Sequence, residues 1–198
     1  MKTIISALRV PALAFTLAVL TGCAHNITIN PAAPDAKANA QATKANKVAG
    51  LYISQADRTR EVISPGGGGD KLSYFPYKDL EGPLFFTLGR VYQRVEQVAG
   101  TDAASASAKN VSILFAPELK TTSSSPSPLT WPPTKFSVVI HVKALDAAGT
   151  TLWEDQVTGD GNAEFDEFKR DFPLAARRAS ADALTKLETV LRTKEGLN

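Results

Sequence analysis

The sequence predicts an α+β domain: a two-layer sandwich with a mostly antiparallel sheet and two helices on one face. Three observations point there. The stretch 136–158 alternates apolar and polar residues and turns back on itself. Two segments, 83–99 and 171–193, repeat apolar residues at helical spacing. The expected elements follow in the order β-β-α-β-β-β-α, in which the late strands connect to one another directly rather than through helices. Strands joined that way pair antiparallel, and the helices then gather on one side of the sheet.

Order is expected to begin at Val48. Val48 to Ser54 reads as a first strand that buries Leu51 and Ile53, and Arg60 to Ile63 as a short second strand. Ser64-Pro65-Gly66-Gly67-Gly68-Gly69-Asp70 has to be a loop. From Pro83 to Ala99, Leu84, Leu88, Val91, Val95 and Val98 step by four and three, with Phe85 and Tyr92 widening the stripe. Pro83 suits a first helical turn and Gly100 a stop. Val111 to Phe115 is a strand, and Thr121 to Thr134 an irregular loop. Phe136, Val138, Ile140 and Val142 then alternate with Ser137, Val139, His141 and Lys143. Asp146-Ala147-Ala148-Gly149 turns the chain, and Thr151 to Thr158 returns as a hairpin partner. The last helix, Asp171 to Thr193, carries Phe172, Ala176, Ala179, Ala183, Leu187 and Val190 inward, and its alanines let it lie close on the sheet.

The N-terminus has a different character. Lys2 and Arg9 are followed by an apolar run of eleven residues, Val10 to Leu20. A bilayer span needs ~20 apolar residues, so this run fits the core of a signal peptide instead. Leu20-Thr21-Gly22-Cys23 follows, and Cys23 is the only cysteine. This stretch resembles the lipobox of bacterial lipoproteins. The resemblance implies that the Cys23 thiol receives a diacylglyceryl group, that a peptidase cuts between Gly22 and Cys23, and that the new amine is acylated, typically with palmitate. Each buried methylene contributes ~0.8 kcal/mol and a single chain anchors only marginally, so several chains hold permanently. Ala24 stands where an aspartate would retain such proteins in the inner membrane, which favours the outer membrane with the domain facing the periplasm. Residues 1–22 are thus a signal peptide. Residues 23–47 are the lipidated cysteine and a flexible Ala/Asn/Lys/Pro linker with a reach of ~25 Å. Residues 48–198 are a single domain.

Removing the first 22 of 198 residues leaves 176, and loses Lys2 and Arg9 from the 22 basic residues, so 20 basic side chains face 20 acidic ones. A neutral chain has no electrostatic case for nucleic acid. With Cys23 lipidated, no disulfide can staple the domain, and burial alone must hold it.

Candidate chemistry is sparse. The mature chain has two histidines, His25 beside the lipid and His141 on the strand face opposite the apolar one, and no G-x-S-x-G elbow occurs. Gly66–Gly69 departs from a phosphate loop, because Asp70 precedes Lys71 and Leu72 follows it. Asp160, Asn162, Glu164, Asp166 and Asp171 fall at spacings reminiscent of a calcium loop, but Phe165 occupies the position that needs glycine. No pair of acids stands out for glycoside hydrolysis. No catalytic residue, metal or cofactor is therefore assigned, and the protein is expected not to be an enzyme. Phe165, Phe168 and Phe172, spaced three and four apart, form either a closing edge of the core or an exposed apolar groove. In the Thr121–Thr134 loop, Trp131 is the candidate partner contact, its large amphipathic surface being suited to recognition or to fastening the loop.

By its lipobox, its Ala/Asn linker and its late strand–turn–strand–helix, with Leu145 to Gly149 at the turn and Trp153 beyond it, the chain resembles small outer-membrane lipoproteins with a tethered α+β domain. These include lipopolysaccharide-assembly, transport-auxiliary and YajG-type lipoproteins. The resemblance implies a non-enzymatic envelope accessory or assembly protein that binds a protein partner. Two alternatives stay open: a hydrolase using carboxylates or a metal, and a carrier of lipid or glycolipid.

Overall fold

Three 12-residue strands in the second half of the chain dominate a computed structural model, which describes residues 24–32, 42–64, 71–125 and 134–197. In chain order the elements are β1 (Ala24–Asn26), β2 (Ala45–Leu51), α1 (Gln55–Arg58), β3 (Val62–Ser64), β4 (Lys71–Tyr74), α2 (Pro76–Val91), β5 (Tyr92–Gln97), α3 (Ala103–Ser107), β6 (Ile113–Ser124), β7 (Lys135–Asp146), β8 (Thr151–Asn162), α4 (Phe165–Arg170) and α5 (Leu174–Lys194). A five-stranded sheet has the order β5-β2-β6-β7-β8, and a three-stranded one the order β1-β4-β3. The long ladders β6–β7 and β7–β8 are antiparallel, whereas β2 pairs parallel with both β5 and β6. The class is α+β, as expected.

The alternation along β7 explains the layering. Phe136, Val138, Ile140, Val142 and Ala144 are buried under α2 and α5. Ser137, Val139, His141 and Lys143 point to the other face; at its far end Leu114 and Leu145 pack with Ala106 of α3 in a second, smaller core, and the rest of that face is open. Asp146 closes the β7–β8 turn by accepting hydrogen bonds from the amides of Ala148 (2.9 Å) and Thr150 (2.8 Å), and Gly149 takes φ +85°. On β8, Gly159 and Gly161 let α5 approach so closely that a Cβ on either would stand 2.0–2.2 Å from the helix backbone. The stripe Ala175, Ala179 and Ala183 lies over them, buried.

Several boundaries differ from expectation. The first long helix is Pro76–Val91 rather than 83–99, with Leu80, Leu84, Leu88 and Val91 inward and Pro83 inside it. Phe85 is left partly exposed. From Tyr92 the chain becomes β5, because the edge of β2 offers backbone partners that Tyr92, Arg94 and Val95 take up; tertiary pairing overrides a spacing that suits a helix equally well. Strand β6 extends through Thr121 to Ser124, paired with β7, so the irregular segment is shorter than predicted. The last helix, expected over 171–193, is α5 at Leu174–Lys194, and a short α4 that the spacing did not predict precedes it.

The largest correction concerns the linker. Residues 24–32 lie on the fold. β1 pairs parallel with β4, the Ile27 amide donates to the Ser73 carbonyl (2.9 Å), and Ile29 is 0% exposed, its amide donating to Asp79 Oδ2 (3.1 Å). One isoleucine in a polar stretch suffices to dock it, which composition does not reveal. β2 also begins at Ala45, ahead of Val48. His25, expected to stand outside the domain, stacks on Phe172 with ring centroids 5.5 Å apart.

Candidate functional site

The open part of the outer face of the five-stranded sheet is built by the alternation that builds the core. Cross-strand register sets Glu118, His141 and Gln156 in one row, and Ala116, Lys143 and Glu154 in the next. Lys143 Nζ lies 3.0 Å from Glu154 Oε1, and this ion pair holds the Glu154 carboxyl below its ordinary range. His141 Nε2 is 3.4 Å from Glu154, and Nδ1 is 4.0 Å from Glu118, beyond hydrogen-bond reach. The imidazole thus lies between two carboxylates, nearer to Glu154. Nearer the start of β7, Ser137 donates to Asp160. A depression of about 260 Å³ is lined by Glu118, Lys120, Val139, His141 and Gln156.

This face runs into a cleft of about 400 Å³ at the β6 edge. The cleft exists because the β2–β6 ladder ends at Leu51 and Phe115, with one further bond from the Tyr52 amide to the Phe115 carbonyl (2.9 Å). The chain then leaves into α1, whose first turn is capped by Ser54 accepting from the Asp57 amide (3.0 Å). Beyond that point β6 protects its own edge: Pro117 has no amide hydrogen, and the Leu119 amide donates to the Tyr77 hydroxyl (3.0 Å). Arg60 lies over the Tyr77 ring at 5.5 Å and pairs with Asp57 at 2.5 Å. Arg58 grips Glu81 at 2.7 Å, which lowers the Glu81 pKa and ties α1 to α2. The site is a broad, charged, mixed-sign surface with a partly aromatic notch.

A search against family models and one against curated proteins found no match. Among solved structures, the chain is similar to a DUF330 protein from Xanthomonas campestris, with 9% identity, a TM-score of 0.46 and coverage of 87% of this chain and 99% of that one. It is also similar to a candidate lipoprotein from Caulobacter crescentus, with 11% identity, a TM-score of 0.36 and coverage of 60% of this chain and 82% of that one. Likenesses this loose carry no function across.

The sequence-predicted site residues fare unequally. Cys23, Trp131 and the Gly66–Gly69 loop lie outside the described residues. The calcium-like acids are dispersed. Asp160 and Asn162 belong to β8, Glu164 caps α4 in a capping box with Glu167, Asp166 pairs with Lys169, and Asp171 with Arg177. No set of three metal-ligating side chains gathers among the described residues. Of the three phenylalanines, Phe168 closes the core at 1% exposure, while Phe165 and Phe172 stay 57% and 38% exposed. Sequence reasoning placed His141 on the outer face but missed the cleft. Pro117 inside a strand was the available signal, since proline belongs at sheet edges.

Proposed function

We propose that the chain is a lipid-anchored envelope lipoprotein, non-enzymatic, and that it binds a protein partner through the open face around His141 and Lys143. The anchor reading rests on the Leu20–Cys23 lipobox, and Ala24, where an aspartate would retain the protein in the inner membrane, supports the outer membrane with the domain facing the periplasm. The partner surface rests on one observation. α2 and α5 cover one side of the sheet, while the other side, beyond the end that α3 covers at Leu114 and Leu145, offers alternating charged and polar side chains that lead into the 400 Å³ cleft. A broad polar face with a partly aromatic notch suits protein recognition better than enclosure of a small substrate. A cavity between α2, α5 and the sheet, lined by Leu51, Leu84, Leu88 and Leu187, measures about 10 Å³, no more than a single water would fill.

Two experiments test these parts separately. Metabolic palmitate labelling should mark the wild type and not Cys23→Ser; equal labelling refutes the anchor. A photo-crosslinking residue at Val139 should capture an envelope protein in living cells, while one at the exposed Thr189 of α5 should not. Indistinguishable patterns from the two positions refute the open face as the contact surface.

A further inference from the structure

The geometry points to a membrane seat: the end of the domain formed by α4 and β1 rests on the bilayer, with Phe165 and Phe172 inserted at the lipid interface. This rests on the lipid anchor proposed above. Its basis is that the anchor has no slack. Cys23 precedes Ala24 directly, and consecutive Cα atoms are ~3.8 Å apart. Ala24 is already in β1, in register with Lys71, and the next residue, His25, stacks on Phe172. Pairing with β4, the Ile27–Ser73 hydrogen bond and the buried Ile29 hold the segment from both ends. An acylated Cys23 therefore brings the Phe172 ring to the level of the headgroups, with no extended linker between.

What lies at that end suits a lipid interface. Phe168 is the buried middle of the aromatic row and packs edge-on against Phe172 at 5.1 Å, so the ring of Phe172 is braced rather than loose. Phe165, one helical turn earlier, is the most exposed large apolar side chain at this end. Lys169 holds its ammonium 4.8 Å from the Phe165 ring centroid, so its stem can lie along inserted aromatic surface while the charge stays at headgroup level. Ile63, 52% exposed, sits two strands from β1, about 10 Å away at ordinary strand spacing. Apolar groups lying in an interface are buried ~5–10 Å into the headgroup and acyl boundary. The charges around α4 balance: Glu164, Asp166, Glu167 and Asp171 against Lys169, Arg170, Arg177 and Arg178. The seat is accordingly driven by apolar insertion and does not require anionic lipid.

The test uses the full lipidated chain in neutral phosphatidylcholine vesicles, with one spin label at Phe165→Cys or, as a control, at Ala148→Cys in the β7–β8 turn at the opposite end. Once Cys23 is a thioether, the introduced cysteine is the only free thiol. Mass spectrometry first verifies the lipid on Cys23. The expected result is a ratio of oxygen to water-soluble nickel accessibility several-fold higher at 165 than at 148, unchanged when anionic lipid is added. An unmodified Cys23 overturns the anchor and the seat together. A lipidated chain whose label at 165 is as water-exposed as at 148 overturns the seat and leaves the anchor standing. A label at 165 that is immobilised without the oxygen signature also overturns the seat, because a protein or a second copy then covers the phenylalanines.

Discussion

Replacing Gly159 with alanine should unseat the longest helix from the sheet. The new Cβ would stand 2.2 Å from the Ala179 carbonyl oxygen, 2.2 Å from the Ala183 nitrogen and 2.6 Å from the Ala183 Cβ. Comfortable carbon contacts lie at ~3.5–4.0 Å, so α5 must retreat by roughly 1 Å or more. The obstacles are backbone atoms and cannot swing aside as a side-chain tip would. Overpacking a core costs typically ~1–3 kcal/mol, and a clash with helix backbone belongs at the top of that range, about 3 kcal/mol. For a domain of this size that corresponds to a melting temperature lower by roughly 6–12 °C. Thermal unfolding followed by circular dichroism measures it. Two companion variants sharpen the test. Ala183→Gly combined with Gly159→Ala should not restore stability, since the oxygen of Ala179 and the nitrogen of Ala183 remain. Gly89→Ala in α2, where an added Cβ meets only Val95 Cγ2 at an ordinary 3.9 Å, should act in the opposite direction by about 0.5–1 kcal/mol, through helix propensity. A melting temperature for Gly159→Ala within about 2 °C of the parent would refute the close approach of α5 to β8.

Ile29→Ala should destabilise the domain by ~2–5 kcal/mol in chemical denaturation, the ordinary cost of truncating a buried isoleucine, whereas a residue in a free tether would cost nothing. Tyr74→Phe removes the hydroxyl that lies 2.8 Å from Thr121 Oγ1 and should cost ~1 kcal/mol in the same assay, loosening the contact between the small sheet and β6. Arg178 and the Glu164 amide hold the Glu167 carboxyl down, from its usual 4.5 to about 2. Because that pKa is depressed on folding, the stabilisation is present above pH 4.5 and lost as the pH falls through about 2. Glu167→Gln should therefore be less stable than the parent at pH ~6 and equal to it below pH ~2, read from unfolding midpoints across the range.

The late hairpin was legible because one face of β7 is buried and the other is not. Phe136, Val138, Ile140 and Val142 must then share a side, and a period of two admits no other register. The alanines of α5 were legible for a related reason: a stripe of small residues signals close approach. Gly159 and Gly161, which complete that contact, went unread because in isolation they suggest a weak strand. Val91, Val95 and Val98 misled because steps of four and three suit a helix, and the deciding fact, a free edge on β2, lies more than 40 residues away in the chain. Residues 24–32 misled because composition reports an average, and the docking depends on a few particular contacts, the burial of Ile29, its bond to the Asp79 carboxylate and the short β1–β4 ladder. The open face could be inferred from Ser137, Val139, His141 and Lys143. The adjoining cleft left only Pro117 as a mark of an unpaired edge, since its place, where β2 leaves β6, is a property of topology.

The proposed seat and the proposed contact face together would fix how a partner can be approached, and this separates a seated domain from a tethered one. The end proposed to rest on the membrane holds β1, α4, the close of β8 and the opening of β7, with Tyr74 packed on Phe136 at 5.5 Å. The long strands run away from that end toward the Asp146–Gly149 turn. Ser137 lies near the seat and Lys143 six residues further along β7, which at strand rise is a separation of up to ~20 Å. A domain on a flexible linker of about twenty residues would wander over a reach of ~25 Å, comparable to that separation, and would blur it. A seated domain would preserve it. Donor fluorophores attached through Ser137→Cys and through Lys143→Cys in the lipidated chain, with acceptor lipids in the vesicle, should therefore give strongly different energy transfer, greater from 137. Equal transfer from the two positions would mean that the domain tumbles on its anchor. A difference that disappears when a flexible Gly/Ser stretch is inserted between Cys23 and Ala24 would show that the absence of slack, rather than the aromatic row alone, holds the open face upright above the membrane.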